Sequence, residues 1–128
     1  MIGIADVEGI HNILIEKFGG AKGIRDMAVL ESAINRPYQT FDGIELYPNP
    51  VDKAAAIFES IISNHPFVDG NKRTAYTLLR LVLMEHHMDI NAGQNEKYDF
   101  VISAAKSEVK FEGIRKWIAD HLVGSKSI

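Results

Sequence analysis

Nine consecutive residues of this 128-residue chain, His65-Pro66-Phe67-Val68-Asp69-Gly70-Asn71-Lys72-Arg73, put a base, a carboxylate and two cations on one short stretch between apolar segments. Imidazole has the ordinary pKa nearest neutrality, so His65 can accept a proton from a hydroxyl while that oxygen attacks phosphorus. Asp69 offers the hard oxygen that magnesium takes singly or in pairs, beside phosphate oxygens and water. Gly70 removes a side chain where backbone would have to approach an anion closely. Asn71 is placed to cap the helix that follows, and the free amides of a helix start form a phosphate cradle. Lys72 and Arg73 are cations at a helix N-terminus, the wrong end for the macrodipole, and an anion bound between them and the amides would offset that. Together these groups are suited to phosphate chemistry.

Taken singly, the same residues have structural uses. His65 follows Ile61 by four positions and Phe58 by seven, on the buried side of the last turn of a helix whose final carbonyls it could cap. Asp69 before Gly70 suits an Asx turn. Pro66 stops the helix, and Phe67 is read as the anchor that drops the turn into the core. The functional reading rests on their proximity.

The elements that must position this stretch are helical. Val7, Ile10, Leu14 and Phe18 make one face of a first helix, stopped by Gly19-Gly20. A second helix is expected from Met27 to Asn35, ending before Pro37. Between Tyr38 and Tyr47, Asp42-Gly43 flanked by β-formers predicts a hairpin, and so small a hairpin is expected to be a mobile flap. Asn49 as N-cap and Pro50 at the first position open a third helix through Val51 to His65, with Ala54, Ile57, Phe58, Ile61 and Ile62 as its apolar stripe. A fourth, from about Lys72 to His86, carries Ala75, Leu78, Leu79, Val82 and Leu83 and is expected to be the central buried helix. Tyr98, Val101, Ala104 and Ala105 mark a fifth; Ile114, Trp117, Ile118, His121 and Leu122 mark a sixth; residues 124–128 are expected to fray. The fold class is all-α, a bundle of about six helices with one small β-hairpin, in a single domain over residues 1–128.

Composition narrows the partners. The net charge of -3 and the lack of a Lys/Arg cluster argue against direct binding of nucleic acid. There is no cysteine, hence no disulfide framework or thiolate metal site. The start of the chain lacks a signal-peptide pattern, and the most apolar run, Leu78 to Met84, contains Arg80 and is too short to cross a bilayer. The expectation is a soluble cytoplasmic protein without a membrane partner.

The nine residues resemble the motif of the Fic/Doc superfamily, His-x-Phe-x-Asp/Glu-Gly-Asn followed by Gly or Lys and then Arg, at every specified position. Lys72 stands where Fic adenylyltransferases carry glycine and is similar to the Doc (death-on-curing) branch, the toxin of a toxin–antitoxin pair. Tyr76 stands where the Fic motif has a second arginine, which sets the chain apart from a standard AMP-transferring site. Gly19-Gly20 through Gly23-Ile24-Arg25-Asp26, Leu30-Glu31-Ser32-Ala33 and Arg36-Pro37 are similar to the N-terminal half of Doc-like proteins, so the resemblance covers nearly the whole chain. Without the family, Gly19 to Gly23 reads as a helix-ending turn, since no Gly-Lys-Ser/Thr follows, and Arg25, Asp26, Glu31 and Arg36 read as surface or intramolecular pairs.

The resemblance implies an enzyme that moves part of ATP or another nucleoside triphosphate onto a protein hydroxyl. In the Doc branch the transfer is of the terminal phosphate, the target is the translation factor EF-Tu, and the nucleotide is bound in the reversed sense. AMP transfer of the Fic kind is the alternative, and a non-catalytic nucleotide- or protein-binding module of the same fold is the alternative outside enzymes. On this reading His65 is the general base, Asp69 the Mg2+ ligand, and Gly70, Asn71, Lys72 and Arg73 the nucleotide-phosphate cradle, with Phe67 as structural anchor. The flap would hold the target segment at its strand edge. The inhibitory pattern Ser/Thr-x-x-x-Glu-Gly/Asn is not met, because Ile4 and Glu108 precede Glu8-Gly9 and Glu112-Gly113 by the required interval. Restraint by a separate cognate antitoxin is therefore implied. Elsewhere, Glu85-His86-His87 is not a chelate if helical, since adjacent side chains point about 100° apart, and His11 and His121 read as structural.

Overall fold

In the computed structural model, which describes residues 2–124, six α-helices are joined by short connections. Helix α1 is Ile4–Phe18, α2 Met27–Asn35, α3 Pro50–Asn64, α4 Asn71–Met84, α5 Gln94–Ala105 and α6 Phe111–Asp120. Strands β1 (Thr40–Phe41) and β2 (Ile44–Glu45) form the hairpin; β3 (Met88–Ile90) and β4 (Leu122–Gly124) form a second antiparallel pair. The architecture is all-α with two small β additions.

Helix α3 is the centre of the bundle, a place the sequence assigns to α4. Asn49 caps it by accepting the Asp52 N–H at 2.9 Å, Pro50 holds its first turn, and ten of its residues are buried, including Ala55, Ala56 and Ser60 outside the apolar stripe. Small residues at 54–56 and 60 let neighbours approach on several sides, so α3 touches α2, α4, α5 and α6. Helix α4 buries one broad face, Thr74, Ala75, Leu78, Leu79, Val82 and Leu83, and leaves Lys72, Arg73 and Arg80 in solvent. It ends at Met84, so His86 and His87 lie in the turn before β3, His87 at φ 62°.

The stripe of α1 also differs from expectation. Its buried residues are Val7, His11 and Ile15, while Phe18 is half exposed. In α5 the buried residues are Phe100 and the expected Ala104, whereas Tyr98 is exposed; Phe100 stacks between Phe58 and Trp117 at centroid distances of 5.0 and 3.9 Å.

The hairpin is shorter than Tyr38–Tyr47, because Arg36–Tyr38 is a 3₁₀ turn. Asp42 and Gly43 both have positive φ, 52° and 77°, as a two-residue hairpin turn demands. Phe41, Ile44 and Leu46 are exposed, whereas the base is tied to the bundle. Lys53 donates to Glu45 at 2.8 Å and to the Tyr47 carbonyl, and Arg36 reaches the Tyr47 hydroxyl at 3.0 Å and Glu59 at 2.9 Å. Of the tail expected to fray, Gly124 is paired in β4 and residues 125–128 lie outside the described residues.

Candidate active site

The segment 65–73 is a tight crossover from the end of α3 to the start of α4. His65 is not on the buried side of α3. It is exposed, just past the helix end, at φ 49° and ψ 61°, the left-handed conformation that ends helices. Its N–H still donates to Ile61 O at 3.2 Å. No described residue hydrogen-bonds or ion-pairs with its imidazole. The capping of α3 falls instead to Arg25, whose guanidinium donates to the carbonyls of Asn64 and His65, both at 2.6 Å.

Phe67 is 1% exposed and is held from both sides. Its N–H donates to Asn71 Oδ1 and its carbonyl accepts from Asn71 Nδ2, each at 3.0 Å, so the Asn71 amide is spent on closing the loop. Asn71 is therefore neither the N-cap of α4 nor a free side chain. The N-cap is Gly70, at φ 75° and ψ 18°, where a Cβ would lie 3.0 Å from Ile15 Cδ1. Gly70 is required by that backbone and that contact. The first bond of the helical ladder is Thr74 N–H to Gly70 O, so the amides of Asn71, Lys72 and Arg73 precede it, the arrangement that favours anions.

Asp69 is exposed, and its carboxylate accepts two backbone hydrogen bonds, from Gly70 N–H at 2.9 Å and from Ala21 N–H at 3.1 Å. These amides, Ala21 first, hold its pKa below the ordinary carboxylate range, with His11 and Lys72 adding smaller effects. The Asx-turn reading is replaced by a latch onto the loop after α1. There Gly20, at φ 118°, is obligatory: a Cβ would stand 2.8 Å from Asp69 Oδ2. Lys72 and Arg73 are exposed; Lys72 makes no hydrogen bond or ion pair with a described residue, and the Arg73 guanidinium lies 4.2 Å over the Phe18 ring.

Each Asp69 oxygen uses one lone pair on a backbone amide and keeps another. Among the described residues no group of three or more His, Cys, Asp or Glu could hold a metal alone. A single exposed carboxylate completed by substrate oxygens and water is a usual donor set for magnesium, and Asp69 fits it.

Sequence reasoning singles out the motif but not what supports it. Residues 19–26 form the second wall: Val68 N–H donates to Gly23 O, Arg25 and Asp26 N–H donate to Pro66 O, and Ile24 bridges Phe67 as an isolated β-pair. Arg25 is the intramolecular partner its sequence reading suggests, and Asp26 caps α2. His11 lies beneath the loop, its Nε2 2.7 Å from Asp69 O. Gly19 to Gly23, read from sequence only as a helix-ending turn, includes at Gly20 a close approach to Asp69; His11 carried no signal beyond its place in the Val7–Ile15 row.

The loop that joins α3 to α4 lies inside the stretch that places the chain in a family. Residues 2–83 match the model described as Fic/DOC family, and the chain belongs to that family. It is similar to the Toxin Doc of Mycolicibacterium smegmatis (strain ATCC 700084 / mc(2)155), 49% identical over 59 residues, which cover 46% of this chain and 45% of that protein. The matched part thus spans less than half the length of that relative. Among the described residues, no helix is long and apolar enough to cross a membrane.

Proposed function

We propose that this chain is a toxin of the Doc kind that transfers the terminal phosphate of ATP or another nucleoside triphosphate to a hydroxyl of a target protein, with EF-Tu as the first candidate, so that translation and growth stop. The observation that carries the reading is that one exposed crossover presents an unengaged imidazole at the end of α3 and, a few residues later, the free amides and two cations that open α4. The similarity to a protein named Toxin Doc supports it.

In the mechanism that follows, the imidazole of His65 takes the proton of the target hydroxyl. That oxygen forms its bond to the terminal phosphorus as the bond to the bridging oxygen breaks, and the electron pair leaves with the nucleoside diphosphate. The amides of Asn71, Lys72 and Arg73, with the two cationic side chains, hold the phosphate oxygens as charge shifts between them. Magnesium, when bound, would be held by Asp69 and would neutralise phosphate charge. The bulk of Lys72 leaves the terminal phosphate, rather than the inner ones, at the reacting point. The exposed β1–β2 edge would take the target segment as an added strand. A cognate antitoxin would cover the crossover or hairpin.

The test is incubation of the chain with bacterial lysate and ATP labelled in turn on the γ and α phosphates. Label transferred to a protein only from the γ position is expected, and His65→Ala should abolish it. Transfer from the α position would replace this reading with AMP transfer. Transfer from neither would leave a binding module.

A further inference from the structure

His11 is the residue of α1 whose burial is hardest to explain by packing alone. It is 2% exposed, in the row Val7, His11, Ile15 where an aliphatic side chain would continue the stripe. Its ring lies flat on Phe67, centroids 3.9 Å apart and planes 7° from parallel. Its Nε2 is 2.7 Å from the carbonyl oxygen of Asp69, and since a carbonyl only accepts, Nε2 carries the hydrogen. Burying an imidazole is unfavourable unless its polar edge is satisfied, and this edge is satisfied by the main-chain carbonyl of Asp69 in a part-buried hydrogen bond. What the contact adds is a fixed peptide plane at Asp69. The other end of Asp69 is held by the same region, because the Ala21 amide donates to the carboxylate. Gly70 lies over the same ring, its Cβ position in ordinary contact at 3.5 Å from His11 Nε2.

We propose that His11 is a positioning residue for the Asp69 carboxylate, fixing the peptide from which it projects through one hydrogen bond and one ring stack, without touching substrate. The assignment rests on the reading of Asp69 as the residue that meets the phosphates and their cation. Partners that orient a metal-binding side chain typically govern metal affinity or activity by about 10–100-fold.

Two substitutions separate the hydrogen bond from the stack. His11→Phe keeps a flat ring on Phe67 and removes the donor; His11→Gln returns an N–H donor near Nε2. In His11→Phe, the phosphate-transfer kcat should fall by about tenfold or more and the half-saturating Mg2+ concentration should rise by a similar factor. The KM for target should stay within about twofold, and His11→Gln should recover most of both losses. A second readout needs neither nucleotide nor metal: amide hydrogen exchange at Ala21 and Gly70, whose N–H groups bond the carboxylate. Both should exchange at least about tenfold faster in His11→Phe while Ile61 and Ile62 of α3 keep wild-type protection. Wild-type exchange at Ala21 and Gly70 in His11→Phe, or faster exchange at all four amides alike, would overturn the proposal. So would failure of a folded His11→Gln to restore the two amides. If the wild-type chain transfers no phosphate, the proposed activity fails, and the exchange measurement still decides the link between His11 and Asp69.

Discussion

His65 occupies left-handed backbone space, at a cost of about 1–2 kcal/mol for a residue with a Cβ. Its imidazole makes no hydrogen bond or ion pair with a described residue to offset this, which is consistent with the proposed role as base. His65→Gly should be more stable than His65→Ala by about 1 kcal/mol in urea titrations, while both abolish transfer. Equal stabilities would remove the strain from the account. At Gly20 the constraint is both φ and space: Gly20→Ala puts a methyl 2.8 Å from Asp69 Oδ2. It should cost about 1–3 kcal/mol and disturb the carboxylate. Gly19→Ala, at φ 88° with open space around it, should cost less. A Gly19→Ala loss equal to that of Gly20→Ala would show that the loop responds to backbone angle alone. These residues also mark what sequence could show. The motif was legible because its residues are adjacent, whereas Arg25 on the α3 carbonyls and His11 on Asp69 act across 40 and 58 positions, where no local pattern reports the partner.

At the scale of elements, local signals were readable and pairings were not. Asn49-Pro50 fixes the start of α3 and Asp42-Gly43 fixes the hairpin turn, because each acts within a few residues. The β3–β4 pair was missed because its strands are separated by two helices, and Phe100 was missed because α5 has a weak apolar face with Tyr98 in the outer position. The seam between α5 and α6 carries a titratable clasp. His121 caps α6 with Nδ1 2.7 Å from Trp117 O, and its Nε2 lies 3.0 Å from Glu96 Oε2. The Trp117 carbonyl first, and then Glu96, raise its pKa above the ordinary imidazole value. A raised folded pKa gives stability that is fully present below the unfolded value of about 6.5 and is lost as pH climbs through the folded one. The urea midpoint of the wild-type chain should therefore fall across that interval, and that part of the slope should vanish in His121→Gln. An unchanged slope would assign the pH dependence to another group.

For the molecule as a whole, the part that matches the family ends at residue 83, yet the core does not. Phe100, Ala104, Ile114 and Ile118 are buried in the same cluster as Phe58 and Ile61 of α3. Helices α5 and α6 thus complete the surroundings of α3, whose C-terminal end sets the position of His65. The proposed activity predicts that expressing the chain alone arrests bacterial growth, and that His65→Ala, expressed to the same level, does not. Normal growth with folded wild-type protein, in a host that contains the target and lacks an antitoxin, would count against the toxin reading.

The single tryptophan has a consequence for how unfolding would be observed. Trp117 is stacked between Phe100 and His121, so its fluorescence reports the α5–α6 seam. The crossover is instead held by α1 and the glycine loop, through contacts that include single hydrogen bonds at exposed positions. Release of the Asp69 carboxylate from the Ala21 amide exposes little of the core even with Phe67 in place, and contacts of this sort open at lower free energy than the global transition. In a urea series, loss of transfer activity should precede the fluorescence change, leaving an interval of denaturant in which the protein is spectroscopically native and catalytically silent. Coincident curves would mean that α1 and the seam unfold as one cooperative unit.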